Sequence, residues 1–213
     1  MPVSGDGALT VARGDLPARL TAGFATSSVV AWDIETSGLD WRSDVIGTCQ
    51  LFADGPGTAV ISIARDSVPP RLAALLGNPA VVKVFHHAPF DLRFMTRAWG
   101  VQATSVRCTK VASKLLDPDA PNEMHSLQNL LARYLGVHLD KGAVRTSDWS
   151  ATLLSEEQVE YAAGDVIHLP RLLGAVRAQL EARGLSGLYD RCCEFLPSRV
   201  ALELGGFPDV FAY

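Results

Sequence analysis

The stretch VVAWDIETSGL, residues 29–39, decides how this chain folds and what kind of site it can build. Its first part is an apolar run rich in strand formers, which ends abruptly at a turn containing Gly38. Side chains two residues apart on a strand point to the same face, so Asp33 and Glu35 project together. Two such carboxylates repel each other unless a divalent cation lies between them. Taken alone, the pair is weak evidence, and a solvated strand terminus is the simpler interpretation.

A further acidic residue follows a second apolar strand. The segment VVKVFHHAPFD, residues 81–91, runs from strand formers through a short polar loop to Asp91, which opens a helix predicted to reach Trp99. An acid at the start of a helix is also a common capping or dipole partner. For Asp91 by itself, both interpretations stay open.

The last element of the pattern is a helix that begins with the capping box SEEQ, residues 155–158, and has Leu154 and Val159 as its hydrophobic staple. Tyr161 and Asp165 are four residues apart and therefore lie on one face of this helix. An aspartate that binds a metal there would hold a phenol beside it, within reach of water that the metal activates. Alone, a surface tyrosine beside a helical aspartate is the simpler interpretation, but the three motifs together favour an enzyme.

The order and contexts of these residues resemble the DEDDy branch of the DEDD exonuclease superfamily, of which ribonuclease D is a broad member. The segments that carry this resemblance are VKVFH (82–86), FDL (90–92), SDW (147–149) and LSEEQVEYAA (154–163). Three more resemble the short bacterial nanoRNase C type: CTKVASKL (108–115), FLPSR (195–199) and DVFAY (209–213). A DEDDh enzyme would carry histidine five residues before the last aspartate, where this chain has Glu160.

This resemblance implies roles for five residues. The metal-binding acids would be Asp33, Glu35, Asp91 and Asp165, and Tyr161 would orient the attacking water. Two Mg²⁺ or Mn²⁺ ions would activate the nucleophile and stabilise the leaving 3′ oxygen, and oxygen ligands suit these hard cations. The expected reaction is in-line hydrolysis of the 3′-terminal phosphodiester, which releases nucleoside 5′-monophosphates. His87 and Pro89 depart from the ribonuclease D pattern and leave the contacts of the Asp91 loop open.

Five residues are predicted to contact substrate: Leu39, Thr36, His86, Lys141 and Arg145. Leu39 resembles the leucine with which oligoribonucleases and nanoRNase C wedge between two bases, and a buried turn leucine is the alternative. Lys141 and Arg145 could contact a terminal phosphate, although a solvated mobile loop is the simpler interpretation. His86 is expected to orient the Asp91 loop by hydrogen bonding, because metal-binding histidines normally come with others at suitable spacing.

The pattern of strands and helices fits an α/β, RNase H-like DEDD exonuclease fold, with a mixed five-stranded sheet flanked by helices. Strands predicted at residues 29–33, 47–53 and 58–63 form an antiparallel meander. The strand at 81–86 follows a helical crossover over 71–76, which predicts parallel pairing with the first strand and brings the acid-bearing strand ends together. Later helices are predicted at 109–116, 126–135, 156–183 and 189–204, with a kink at Pro170 in the third.

Length, composition and charge fit one catalytic domain. The chain has 213 residues, is 48% apolar and carries a formal net charge of −4. Residues 1–8 are predicted to be a flexible tail, and residues 9–213 a single 3′-5′ exonuclease domain. Binding of long nucleic acid usually needs a basic surface, so the charge, together with the nanoRNase C resemblance, predicts short single-stranded RNA, especially dinucleotides, as substrate. A broader ribonuclease D-like exonuclease that trims longer RNA or DNA is the alternative, and a fold kept without chemistry is a third hypothesis.

The ending GGFPDVFAY, residues 205–213, is too aromatic for an ordinary disordered tail. It either folds back onto its own domain or forms an interface with a neighbouring subunit. Resemblance to nanoRNase C favours the interface and implies an oligomerisation segment at about 186–213 and a ring-like homo-octamer. The four cysteines show no zinc spacing, no apolar run is long enough to span a bilayer, and the N-terminus lacks the features of a secretory signal. These features predict a cytoplasmic protein with no membrane partner.

Overall fold

The computed structural model describes residues 8–139, 144, 147–149, 153–207 and 209–212. Within these ranges the strands are β1 (Leu9–Arg13), β2 (Val29–Thr36), β3 (Ile46–Ala53), β4 (Gly57–Ser62), β5 (Val82–Phe85) and β6 (Val106–Cys108). The first four helices are α1 (Ala18–Thr26), α2 (Pro70–Gly77), α3 (Ala88–Trp99) and α4 (Thr109–Leu116). A short 3₁₀ helix, Asn122–His125, then precedes α5 (Leu127–Leu135), α6 (Glu156–Ile167), α7 (Leu169–Ala182) and α8 (Ser186–Leu204).

The strands form one mixed sheet in the order β1-β4-β3-β2-β5-β6. Strands β2, β3 and β4 pair antiparallel, which confirms the predicted meander. Strand β5 pairs parallel with β2, as the crossover through α2 predicted, and β6 pairs parallel with β5. The carboxyl ends of β2 and β5 therefore point the same way. Asp33 and Glu35 lie in the second half of β2, and the loop that leads to Asp91 begins at the carboxyl end of β5.

The described sheet has six strands, one more than the five predicted. Only four of those five were located in the sequence, and neither edge strand was among them. Strand β1 pairs parallel with β4 at one edge, and its residues alternate between exposed and half-buried positions. Strand β6 at the other edge is three residues long. Short edge strands carry little apolar periodicity, so neither stands out from the surrounding sequence.

The single helix predicted over residues 156–183 is wrong, because the chain forms two helices there. Helix α6 ends at Ile167, and α7 begins at Leu169 after His168. Pro170 has no N–H to donate, and its ring excludes the carbonyl of Val166 four residues earlier, so a continuous helix is disrupted at this point. Helix α6 packs on β2, β3 and β4, whereas α7 packs on β2, β5 and the helices α4 and α5.

The core fixes the strand that carries the first two acids. Trp32, next to Asp33, is fully buried, and its ring packs against those of Phe85 at 6.2 Å and Trp99 at 6.5 Å between centroids. These contacts tie β2 to β5 and to the end of α3. Within the described residues, no helix combines the length and the apolar character that crossing a lipid bilayer requires.

The end of the chain lies against α8 and still exposes apolar surface. The ring of Phe211 meets that of Phe195 edge-on, with centroids 5.6 Å apart. Phe207, Val210 and Phe211 nevertheless remain mostly exposed. The tail thus folds back in part, as one of the two sequence interpretations held, and leaves an apolar patch at the surface.

Candidate active site

Three of the predicted acids converge where α6 crosses the carboxyl end of β2. Asp33, Glu35 and Asp165 offer oxygen atoms that all lie within 4.8 Å of one another. Asp165 is buried, and the other two are half-buried. Carboxylates packed this closely in a partly desolvated site repel each other when all are ionised. The donor set is entirely oxygen, which fits a hard divalent cation such as Mg²⁺ or Mn²⁺.

The fourth acid, Asp91, lies in the first turn of α3 and is buried near Asp33 and Glu35. It is outside the group of oxygens within 4.8 Å. Burial, and then the Asp33 and Glu35 carboxylates, raise the pKa of Asp91 well above its ordinary value, although backbone N–H groups, including that of Ile34, oppose the shift. Its Oδ1 atom is buried and has no hydrogen-bond partner among the described residues. Such an oxygen beside two further carboxylates fits the ligand set of a divalent cation.

Replacing Asp91 with asparagine is expected to stabilise the metal-free protein and raise its melting temperature by roughly 2–6 °C at neutral pH. Asparagine removes the repulsion and supplies a donor for a neighbouring carboxylate. Since folding raises the pKa of Asp91, the wild-type protein loses stability as the pH rises from the unfolded aspartate value, about 4, through the raised value. The advantage of Asp91→Asn should therefore shrink as the pH falls towards about 4. The measurement is thermal unfolding in EDTA across this pH range.

The exposed Asp119→Asn variant is the matched control, because it removes a carboxylate that lies at the surface. It should melt with the wild-type protein at every pH. A melting temperature of Asp91→Asn equal to or below that of the wild type at neutral pH would contradict the repulsion argument.

The start of α6 fixes the direction in which Tyr161 and Asp165 point. Ser155 Oγ accepts from the Gln158 backbone N–H at 3.2 Å, and Gln158 Oε1 accepts from the Ser155 N–H at 2.9 Å, which confirms the predicted capping box. Leu154 packs into the cluster that contains Val159, as a hydrophobic staple does. The ring of Tyr161 packs against the buried ring of Trp149, with centroids 5.8 Å apart.

The segment Ser147 to Trp149 is held from two sides. The Gln158 Nε2 atom donates to Ser147 Oγ at 2.9 Å and to the Asp148 carbonyl at 3.1 Å. On the other side, the Trp149 carbonyl lies directly over Gly47 of β3, where a Cβ atom would stand 2.6 Å from the carbonyl carbon. Trp149 is thus seated between β3 and α6, and Tyr161 packs against it.

Sequence reasoning missed three residues of this site. Thr48 and Gln50 of β3 are fully buried and face the acids, and Gln50 donates to Asp33. Gly47 provides the space under Trp149. The signal was present in the strand IGTCQLFA, where polar residues two apart interrupt an apolar run and a glycine stands inside a strand. Buried polar residues need partners, and a glycine inside a strand often marks a close backbone approach.

Leu39 lies on the turn that follows β2 and is 82% exposed, so the alternative of a buried turn leucine is excluded. The turn is held by its own side chains. Thr36 Oγ1 donates to the Gly38 carbonyl at 2.6 Å, and the Asp44 carboxylate accepts from the Asp40 N–H at 2.9 Å. Leu39 is thus an exposed apolar side chain on a turn that hydrogen bonds hold in place.

The other residues singled out from the sequence lie in and around the loop before Asp91, or outside the described residues. His86 Nδ1 lies 2.9 Å from Thr109 Oγ1 at the start of α4, so His86 links the loop before Asp91 to that helix. His87 has a positive φ of 70°, and Pro89 falls within the first turn of α3, where a missing N–H leaves no hydrogen bond unmade. Lys141 and Arg145 lie outside the described residues.

A family profile described as 3′-5′ exonuclease matches residues 10–181. The chain belongs to this exonuclease family. The matched range contains the four acids and Tyr161.

The chain is also similar to individual exonucleases. It is 40% identical to Ribonuclease D of Gluconacetobacter diazotrophicus over 113 residues, which make up 53% of this chain and 28% of that protein. The chain spans about a third of the length of the curated relatives it matches. It is 34% identical to Brucella melitensis NrnC bound to pGG, with a TM-score of 0.88 over 98% of this chain and 100% of that one.

The same Brucella melitensis protein with bound Mg²⁺ gives 34% identity and a TM-score of 0.87 over 96% of this chain and 98% of that one. These matches confirm the predicted family, a DEDD exonuclease of the ribonuclease D group near nanoRNase C. They also confirm the predicted α/β exonuclease fold.

Proposed function

We propose that this chain is a metal-dependent 3′-5′ exoribonuclease that hydrolyses short RNA, especially dinucleotides, to nucleoside 5′-monophosphates. The observation that carries the proposal is the convergence of Asp33, Glu35 and Asp165 within 4.8 Å, with Asp91 buried near the first two. The similarity to NrnC bound to pGG supports a short substrate. Trimming of longer RNA or DNA is the second candidate, which the similarity to Ribonuclease D favours.

The four carboxylates would hold two divalent cations, Mg²⁺ or Mn²⁺. When bound, these cations would supply Lewis-acid stabilisation of the phosphoryl and leaving oxygens and would acidify the attacking water. The similar structure with bound Mg²⁺ supports the choice of this ion. The buried Asp91 Oδ1 atom would gain a partner in this arrangement.

Tyr161 would orient the attacking water. Its phenol lies one helical turn before Asp165 on the same face of α6, and its ring is held by Trp149. A phenol fixed in this way can hydrogen-bond a water molecule and keep it in line with the leaving 3′ oxygen, without acting as a strong base. Placement of the water is thus a property of α6 and of the segment that packs on it.

Leu39 would insert between the two bases of a dinucleotide. Its exposure and the hydrogen bonds that hold its turn support this role, because a residue on a fixed turn loses little backbone freedom when it contacts a base. Thr36 and His86 would line the substrate end of β2 and β5. Lys141 and Arg145 remain predicted contacts for the terminal phosphate.

The test compares hydrolysis rates on 5′-labelled RNA of two, three, seven and about twenty nucleotides with Mg²⁺ or Mn²⁺. A steep preference for the dinucleotide is expected, and Tyr161→Phe should lower the rate by roughly 10²–10³-fold because water placement is lost. The fold of Tyr161→Phe is checked by thermal unfolding. Equal or faster cleavage of the longest strand would replace this proposal with general 3′-end trimming.

We also propose that the chain forms a homo-oligomer through the segment at about 186–213, with an octameric ring as the predicted stoichiometry. The exposed Phe207, Val210 and Phe211 support an interface there. Sedimentation velocity that gave a monomer at micromolar concentration would contradict it.

A cytoplasmic location is supported by the free thiols of all four cysteines, which persist in a reducing compartment.

A further inference from the structure

We propose that Gln50, oriented by Thr48, is a positioning residue that fixes the carboxylate of Asp33 for binding a divalent cation. The inference rests on the proposed metal-dependent function. It concerns the affinity of the acids for the cation and assigns no contact with the reacting atoms to either residue.

The pairing of β2 with β3 sets these residues against the acids. Gln50 is directly opposite Asp33, and Thr48 is directly opposite Glu35. Side chains at paired positions of an antiparallel sheet project to the same face, so the polar pair of β3 lies alongside the acidic pair of β2. Both Thr48 and Gln50 are 0% exposed. A buried amide and hydroxyl are stable there only when their hydrogen bonds are made.

The hydrogen bonds form a short chain that ends at the acid. Gln50 Nε2 donates to Asp33 Oδ2 at 2.6 Å, and Thr48 Oγ1 donates to Gln50 Oε1 at 3.1 Å. The first is a short bond between an amide and a carboxylate, and bonds to ionised acceptors are the stronger kind. A carboxylate can only accept, so the amide must turn its nitrogen towards Asp33 and its oxygen towards the hydroxyl.

These two hydrogen bonds restrict the position of the Asp33 carboxylate. With Oδ2 held against β3, the carboxylate keeps one rotamer and one orientation relative to Glu35 and Asp165, whose oxygens lie within 4.8 Å of its own. In a metal site, partners that hydrogen-bond a ligating carboxylate orient it before the ion arrives, and their removal commonly lowers metal affinity 10–100-fold. The buried strand β3 is a rigid support for such a partner.

The experiment measures Mg²⁺ and Mn²⁺ binding by isothermal titration calorimetry, without RNA, for the wild-type protein, Gln50→Met and Thr48→Val. Methionine keeps the length of glutamine and removes the donor, and valine keeps the shape of threonine and removes the hydroxyl. Affinity for the ion should fall about 10–100-fold in Gln50→Met and by a smaller factor in Thr48→Val. In hydrolysis assays, the half-saturating Mg²⁺ concentration should rise by a similar factor, and the rate should recover when the ion is saturating. A merely structural defect would not recover with metal.

Thr58→Val is the matched control, since it removes a buried hydroxyl from β4 of the same sheet. Its affinity for Mg²⁺ should equal that of the wild type. Unchanged affinity in Gln50→Met would overturn the inference. If Gln50→Met does not fold in EDTA, Thr48→Val decides, and unchanged affinity in that variant overturns the inference as well. A wild-type protein that bound neither ion would instead contradict the proposed function itself.

Discussion

Asp33→Asn is expected to lower the rate of RNA hydrolysis by about 10³-fold or more while the protein keeps its fold. Asp33 interacts with each of the other three acids. Oxygens of Glu35 and Asp165 lie within 4.8 Å of one of its own, and its charge contributes to the raised pKa of Asp91. Asparagine has the same shape, and its carbonyl oxygen can still accept from Gln50. The substitution thus removes a charge that a cation requires and leaves the packing unchanged.

Rates are measured on the dinucleotide at saturating Mg²⁺, and the fold is checked by circular dichroism and thermal unfolding. The matched control is Asp54→Asn, which removes an exposed carboxylate from the turn between β3 and β4. That turn follows the end of β3 that lies away from the acids, so Asp54→Asn should keep the full rate. Undiminished hydrolysis by a folded Asp33→Asn protein would show that the chemistry occurs elsewhere.

Gly47→Ala is expected to lower the hydrolysis rate by about 10²-fold and to destabilise the protein by roughly 1–3 kcal/mol. A methyl group at this position would overlap the Trp149 carbonyl. The carbonyl belongs to the backbone and the backbone geometry fixes the position of the methyl group, so neither can move aside by changing rotamer. Residues 147–149 would have to lift from β3. Because the Trp149 ring packs against Tyr161, the displacement would reach the phenol that we propose orients the attacking water.

The rate and the free energy of unfolding in urea are measured together. Gly174→Ala is the control, because Gly174 is an exposed position inside α7 where an added Cβ would meet nothing within 4 Å. That variant should keep the full rate and gain up to about 1 kcal/mol from helix propensity. Wild-type activity in Gly47→Ala would mean that the packing of Trp149 on β3 does not position Tyr161.

Local sequence signals predicted the central part of the fold well. The meander of β2, β3 and β4 follows from apolar runs separated by a turn, and the start of α6 follows from Ser155 and Gln158. Each signal concerns residues that are close in sequence and act on their own backbone. The predictions failed where a strand depends on pairing with another part of the chain. Strand β1 forms through its pairing with β4, and β6 through its pairing with β5.

The break between α6 and α7 also depended on both local sequence and tertiary packing. Pro170 was correctly identified as a disruption, but its local chemistry does not say whether a helix bends or ends. The outcome depends on packing, because α6 lies across β2, β3 and β4 while α7 contacts α4 and α5. Two different sets of partners favour two separate helix directions.

For the candidate site, the sequence by itself determined which acids and which tyrosine were predicted, and which elements carry them; three of those acids converge in the structure. Their spacing is dictated by strand and helix periods, which short segments express. Only the tertiary structure decided that Gln50 faces Asp33, that Gly47 underlies Trp149 and that Leu39 is exposed. These facts depend on the register of β3 against β2 and on segments about a hundred residues apart in the chain. Register and long-range contact are set by the packing of the whole domain, which no local pattern contains.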